Sequence, residues 1–163
     1  MHFTYCPECG AKLLPRVLGD EGAVPFCESC DRPFFDMFST CVLSVVMSPS
    51  GEVALIRQSY GQQTHFVGVA GYMQCGETAE QAAMREITEE IGIVPHRVEY
   101  QFSAWHAAGA QLMLCFCAYA EKQPFTRSDE VAEAKWFSPK DARAAVREGS
   151  IIAQLLEAVL KKI

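Results

Sequence analysis

The sequence has no hydrophobic run long enough to cross a membrane. A spanning helix needs about 18 or more consecutive apolar residues, and the chain of 163 residues contains no such stretch. Its first residues also lack the basic and apolar regions of a secretory signal. We therefore expect a cytoplasmic protein with no membrane association.

Basic residues are also in short supply. Lysine and arginine together number 14 against 20 aspartates and glutamates, which gives a formal net charge of −6. Proteins that bind nucleic acid through its phosphates usually present a basic face. The negative net charge therefore argues against a nucleic-acid partner. There is no low-complexity tract, and 50% of the residues are hydrophobic, which is enough for a packed core.

Cysteine, in contrast, is abundant, with 8 residues. Four of them form two C-x2-C pairs, Cys6 with Cys9 and Cys27 with Cys30. Such pairs are typical of a closed, structural Zn²⁺ site, with two disulfides or free thiols as the alternatives. We predict a zinc ribbon over residues 1–36, whose folding would depend on the metal because so short a segment buries little core. Acids outnumber bases in this range, which favours a structural or dimer-forming role for the ribbon.

Residues 37–163 show the strand and helix patterns of an α/β domain. Strands are predicted over 41–47, 53–58, 65–70, 98–103, 112–120 and 134–137. Helices are predicted to begin at Thr78, Ser138 and Ser150, where a hydroxyl side chain can cap the first turn. Gly92 is well placed to end the first helix in the left-handed conformation.

A run of acids lies on the first of these helices. Glu86, Glu89 and Glu90 are three and four residues apart, so they are neighbours on one helix face. A solvated acidic surface is one interpretation. The preceding loop favours another, because its glycines permit a tight backbone and Glu77 adds a further acid. Carboxylates that converge in this way suit a hard divalent cation, which can in turn bind and polarise a diphosphate.

Residues 71–93 resemble the Nudix box, G-x5-E-x7-R-E-U-x-E-E-x-G-U with U an aliphatic residue, at every defined position. The resemblance implies an α/β/α sandwich around a mixed sheet. It also implies hydrolysis of a diphosphate linkage in a nucleoside diphosphate derivative, with Mg²⁺ or Mn²⁺ as the catalytic cation. By match to the motif, Glu86 and Glu90 would be metal ligands. Glu89 would be a ligand or a base, Arg85 would orient the carboxylates, and Glu77 would be a further group around the metal.

The likeness extends to a narrower group. With a four-cysteine ribbon before a Nudix domain, the chain is similar to the NADH pyrophosphatase-like proteins. This resemblance implies a homodimer. Residues 69–72 resemble their A-G-F approach to the box, so the carbonyl oxygen of Ala70 would bind the metal. Residues 129–137 resemble their E-x2-E-A-x-W stretch, which makes Glu130 a candidate ligand. The alternative for Glu130 is an ordinary surface acid before a strand.

The substrate segment departs from that group. Residues 103–113 keep the Ser, Trp and Leu-Met of S-Q-P-W-P-F-P-x-S-L-M but lose its prolines and Phe. We expect a small-molecule nucleotide, with NADH, NAD⁺ and ADP-ribose among the candidates. Trp105 would stack on a base or pack in the core, and Phe66 and Tyr72 would line a base pocket. A nucleotide sensor without catalysis is an alternative function, and a ribbon that delivers capped RNA to the hydrolase is another.

Overall fold

The computed structural model describes residues 3–61 and 64–162, so Met1, His2 and Ile163 at the ends of the predicted domain ranges lie outside the described residues. The chain divides into two compact units, Met1–Phe38 and Ser39–Ile163. Within the described part of the chain, none of the helices combines the length and apolar character that a membrane crossing requires.

Three short antiparallel strands form the sheet of the first unit. They are β1 (Leu14–Val17), β2 (Ala23–Cys27) and β3 (Arg32–Pro33), in that order. The core beneath them is small and includes the ribbon cysteines themselves, with Cys6, Leu13, Cys27 and Phe34 as its buried members. A core of this size contributes little hydrophobic stabilisation, so a further source of stability is expected.

The second unit is built on a mixed sheet of six strands. The strands are β4 (Ser39–Met47), β5 (Val53–Gln58), β6 (Val69–Tyr72), β7 (Arg97–His106), β8 (Gln111–Tyr119) and β9 (Val131–Phe137). They follow the order β7-β8-β4-β5-β9, and β6 pairs with β4. The central β4 is parallel to β8 and antiparallel to β5 and β6.

Three helices flank this sheet: α1 (Ala79–Ile91), α2 (Pro139–Ala145) and α3 (Ile151–Leu160). The hydroxyl groups of Thr78, Ser138 and Ser150 accept the capping hydrogen bonds that the sequence predicts. Gly92 ends α1 in the left-handed conformation, with φ 70° and ψ 13°. All three predicted helix starts and the predicted glycine stop are therefore confirmed.

The helices lie on opposite faces of the sheet. Side chains alternate along β4, so that Val42 packs with Ala83 of α1, whereas Val45 packs with Leu155 of α3. Since α2 contributes Ala142 to the same cluster as Leu155, α2 and α3 share one face. The predicted α/β/α sandwich around a mixed sheet is confirmed.

Three strand predictions need correction. Strand β9 begins at Val131 rather than at Ala134. The strand predicted over 65–70 is displaced, because Phe66 and Val67 make only isolated bridges and the ladder with β4 begins at Val69. Strand β7 continues to His106 rather than ending at Ser103. Since residues 103–113 contain no proline, each retains the N–H group that a continuous ladder requires.

Candidate functional site

Local sequence rules fix where α1 begins and how it is rotated. Thr78 Oγ1 accepts from the N–H of Gln81 at 3.3 Å, and Gln81 Oε1 accepts from the N–H of Thr78 at 2.8 Å, which completes a capping box. Burial of Ala83 and Ile87 then sets the inward face of the helix. Glu86 and Glu89 lie on the remaining faces, whereas Glu90 is buried.

Gly71 on β6 lets the sheet approach α1 closely. A Cβ atom at this position would lie 2.0 Å from Cδ of Glu86 and 2.1 and 2.3 Å from its two carboxylate oxygens. No side chain could occupy that space without displacing the carboxylate. The box therefore needs glycine here because of the neighbouring Glu86.

Arg85 holds several acidic groups in place. Its guanidinium donates to both oxygens of Glu77, at 3.0 and 2.7 Å, and to Glu86 and Glu89, at 2.7 and 3.0 Å. It also donates to the backbone carbonyl of Tyr72 at 3.1 Å. Hydrogen bonds to Glu77, followed by those to Glu86 and Glu89, raise the pKa of Arg85. The arginine thus joins the box loop to the helix.

Glu77 is occupied by these loop contacts. Both of its carboxylate oxygens accept from Arg85, and Oε1 also accepts from the N–H of Gln74 at 2.6 Å. The hydrogen bond with Arg85, and then that with Gln74, lowers the pKa of Glu77. The arrangement suits a residue that positions the metal ligands through Arg85.

Glu90 differs from the other acids of the box because it is only 7% exposed. Burial, followed by repulsion from Glu86, Glu130 and Glu89, raises its pKa to about 8. A carboxyl group with this pKa is mostly protonated at neutral pH. A divalent cation in place of that proton would offset the desolvation of the charged form and the repulsion, so this residue fits a metal site.

Backbone hydrogen bonds hold the loop that carries Glu130 against α1. The N–H of Ser128 donates to the carbonyl of Glu90 at 3.0 Å, which ties the loop before β9 to α1. The N–H of Ser59 donates to the carbonyl of Glu130 at 2.8 Å and ties the end of β5 to that loop. Glu130 is exposed, and its charge acts on Glu90.

The residues that could hold Mg²⁺ or Mn²⁺ are therefore Glu86, Glu90 and Glu130, with the Ala70 carbonyl one residue before Gly71. Their carboxylates have not converged to ligand spacing. Across residues 3–61 and 64–162, the four cysteines are the only group of three or more His, Cys, Asp or Glu side chains whose ligand atoms all lie within 4.8 Å of one another. Like charges are expected to stay apart until a cation screens them.

The four ribbon cysteines have the spacing of a tetrahedral zinc site. Sγ of Cys6 lies 3.9 Å from that of Cys30, and Sγ of Cys9 lies 3.5 Å from that of Cys27. Four Zn–S bonds of about 2.3 Å in a tetrahedron would space the sulfur atoms about 3.8 Å apart, whereas a disulfide requires about 2.05 Å. The Cys9 thiol, followed by burial, raises the pKa of Cys30 to about 12. Without a cation, the Cys30 thiol therefore keeps its proton at neutral pH.

The structure separates the predicted base-binding aromatics. Trp105 pairs with Leu112 on the α1 face of the sheet and is 54% exposed, so it is not a core residue. Tyr72 pairs with Cys41 on the opposite face and is also exposed. Phe66 lies on that second face, half-buried, with its ring 4.8 Å from that of Phe137. Their roles in base binding stay predictions.

Two further residues beside the predicted site are absent from the sequence-based prediction. Gln111 donates from Nε2 to the Tyr72 hydroxyl at 2.8 Å, and its Oε1 lies 3.0 Å from Nδ1 of His106. Tyr60 follows Ser59, whose N–H donates to the carbonyl of Glu130. Both positions depend on strand pairing between distant segments, for which the local sequence carries no signal.

A mixed sheet between helices, with an acidic helix held against a glycine-containing strand, defines a Nudix-type domain. The NUDIX domain profile matches residues 37–157. The chain belongs to the Nudix family, as the box resemblance predicts.

Relatives and solved structures agree with this assignment. The NAD-capped RNA hydrolase NudC of Vibrio cholerae is 26% identical over 160 residues, which cover 98% of this chain and 58% of the relative. This chain thus spans less than two thirds of that protein. A NUDIX hydrolase from Nitrosomonas europaea has a TM-score of 0.75 at 20% identity, covering 98% of this chain and 92% of the other. The NUDIX domain of Shewanella oneidensis NrtR, solved with ADP ribose, has a TM-score of 0.68 at 19% identity, with coverages of 84% and 93%. These two structures show the shared fold.

Proposed function

We propose that this chain is a metal-dependent pyrophosphohydrolase that cleaves the diphosphate linkage of NAD-type dinucleotides. The buried carboxyl group of Glu90, with Glu86, Glu89 and Glu130 acting on it, is the observation that carries the proposal. A buried charge without compensation is costly. A cation at this site would offset that cost, and the same cation could bind a diphosphate.

The metal site would be formed by Glu86, Glu90, Glu130 and the carbonyl oxygen of Ala70. Mg²⁺ or Mn²⁺ bound there would neutralise phosphate charge and acidify a water molecule. Arg85 and Glu77 would keep the ligands in position without binding the cation. The ribbon would carry a separate, structural Zn²⁺ on its four cysteines.

Glu89 is the carboxylate best placed to accept a proton. Its side chain is 58% exposed, while its Oε2 accepts from Arg85 at 3.0 Å, so the group is oriented and still open to solvent. As the water oxygen bonds to phosphorus, the bond from that phosphorus to the bridging oxygen breaks. The bridging electron pair leaves with the other phosphate, and the water proton passes to Glu89.

A dinucleotide carries two bases, and two exposed aromatic rings on opposite faces of the sheet are candidates to bind them. Tyr72 and Trp105 each present an exposed ring, and planar bases stack on such rings. The name of the Vibrio cholerae relative includes NAD-capped RNA, so an NAD group at the end of an RNA is a substrate to test despite the acidic charge balance. The ribbon arginines offer little to an RNA backbone, because Arg16 pairs with Glu28 and Arg32 with Glu8.

Product analysis by liquid chromatography and mass spectrometry tests the proposal. The panel contains NADH, NAD⁺, ADP-ribose and an NAD-capped RNA oligonucleotide, each with Mg²⁺ or Mn²⁺. We expect AMP and nicotinamide mononucleotide from the dinucleotides, and loss of cleavage in Glu90→Gln. Glu80→Gln is the matched control, since Glu80 is exposed in the first turn of the same helix. Nucleotide binding without any cleavage would instead support a sensor.

A further inference from the structure

The proposed site is poor in cationic groups that could receive a diphosphate. Arg85 is fully engaged with box carboxylates and a carbonyl. Arg57 and Lys135, on the neighbouring β5 and β9, both pair with Glu133. In the loop before β9, Arg127 donates to the carbonyls of Val131 and Ala132. Neutral hydrogen-bond donors are therefore further candidates for binding the phosphates of the substrate.

Tyr60 is held in position to be such a donor. The β5–β9 ladder contains an irregularity next to Gln58, after which the chain turns toward the loop before β9. Ser59 fixes this turn, because its N–H donates to the Glu130 carbonyl at 2.8 Å and its hydroxyl donates to the Asp129 carbonyl at 2.7 Å. The next residue, Tyr60, therefore adjoins the backbone that holds Glu130, and its side chain is 55% exposed.

The electrostatic surroundings of the phenol agree with this placement. Burial, followed by the charges of Glu90 and Glu130, raises the pKa of Tyr60. A hydrogen bond with the Gln58 side chain lowers this pKa in part. The two carboxylates come from different elements, α1 and the loop before β9. A phenol is neutral at physiological pH, so it can stand beside carboxylates without forming the ion pair that a lysine or arginine would form.

We propose that Tyr60 is a substrate-binding residue whose hydroxyl donates a hydrogen bond to the diphosphate of the bound nucleotide. The inference rests on the proposed function, which requires a nucleoside diphosphate group at this site. It adds a contact that neither the Nudix box nor the 103–113 segment contains.

Calorimetric titration with α,β-methylene-ADP in the presence of Mg²⁺ tests this contact without turnover, because the bridging oxygen of this analogue is replaced by CH₂. Tyr60→Phe removes only the hydroxyl, and we expect it to weaken binding about tenfold, as for loss of a hydrogen bond to a charged group. The same variant is expected to raise KM for the cleaved dinucleotide by a similar factor. Tyr100→Phe is the matched control, since Tyr100 is another exposed tyrosine whose ring packs edge-on against Phe116, 5.8 Å away.

The outcomes separate this inference from the proposed hydrolysis. Affinity of Tyr60→Phe for the analogue equal to that of the unmodified protein would overturn the role of the hydroxyl, whatever the protein hydrolyses. Weaker binding by Tyr60→Phe in a protein that cleaves none of the dinucleotides would support the contact and overturn the hydrolysis. Equal weakening by Tyr100→Phe would also overturn the inference, because the loss would then not be specific to the site.

Discussion

Glu90 shows how far its surroundings can change one side chain. Its sequence context is that of an exposed acidic helix, yet the fold buries it and surrounds it with other carboxylates. The result is a group whose charge depends on what binds next to it. A cation and a proton compete for this carboxylate, so metal binding at the site is expected to release protons near neutral pH.

The stability of the protein without Mg²⁺ or Mn²⁺ should depend on pH through this residue. Glu90 binds its proton more tightly in the folded chain, with a pKa of about 8 against 4.5 for an ordinary glutamate. Its contribution is therefore fully present below the lower value and is lost as pH rises through the higher one. Urea denaturation of protein that keeps its ribbon Zn²⁺ but receives no Mg²⁺ or Mn²⁺, at about pH 5 and about pH 8, should show a lower free energy of unfolding at the higher pH.

Glu90→Gln provides the control for that measurement. Glutamine cannot ionise, so this part of the pH dependence should disappear while the fold is kept. An unchanged profile in the variant would show that another group is responsible.

Substitution of Gly71 tests whether the close approach of β6 to the Glu86 carboxylate matters for metal binding. Gly71→Ala places a methyl group where the Glu86 carboxylate now lies, so we expect Mn²⁺ affinity to fall by about 10- to 100-fold, the range for disturbed support of a metal ligand. Calorimetric titration with Mn²⁺ measures this change directly. Gly51→Ala is the control, because that glycine, in the turn after β4, has open space around it but a φ of 81°. The variant therefore introduces backbone strain without a clash at a carboxylate. If Gly71→Ala binds Mn²⁺ as tightly as the unmodified protein, this role of Gly71 is contradicted.

At the scale of a single element, the start of helix α1 determines where its site residues lie. The capping box at Thr78 fixes the first turn of α1, and with it the positions of Arg85 and Glu86 one to two turns on. Thr78→Ala should cost about 1 kcal/mol of stability and also lower kcat/KM. Ser138→Ala removes the matching cap of α2 and should cost a similar amount of stability without changing kcat/KM. Chemical denaturation and steady-state kinetics on both variants check this; equal kinetic effects would count against it.

Elements whose signals are local could be predicted from the sequence. The helix starts at Thr78, Ser138 and Ser150 and the stop at Gly92 follow from neighbouring residues, and the structure has all of them. The displaced strand β6 could not be placed in this way, because its register is set by pairing with β4 across the chain.

The same distinction applies to the site. Glu86, Glu89 and Glu90 are recognisable as one helix face because their spacing is local. The hydrogen bond between Gln111 and Tyr72 joins two strands that β4 separates in the sheet, and the carbonyl of Glu130 is held by Ser59, 71 residues earlier. Contacts of this kind depend on the finished fold and leave no pattern in the sequence.

At the scale of the whole molecule, the ribbon provides a prediction that is independent of catalysis. Purified protein should contain one Zn²⁺ per chain, measured by elemental mass spectrometry, and Cys9→Ser should lower that content and the protease resistance of the ribbon. Cys75→Ser is the control, because Cys75 is exposed and lies outside the cluster. Zinc content that falls equally in both variants would contradict the assignment. The homodimer and the cytoplasmic location stay predictions.

The contacts of Arg85 also restrict how the box loop can evolve. Two points on the loop, the Tyr72 carbonyl and the Glu77 carboxylate, are bound to one guanidinium, and the N–H of Gln74 is bound to Glu77 in between. The number of residues between those points therefore cannot change, although side chains such as that of Cys75 are free to vary. The turn at 107–110 between β7 and β8 has no such double attachment to the box. Insertions and deletions that alter substrate choice are expected to accumulate in that turn, while the length of the box loop is inherited unchanged.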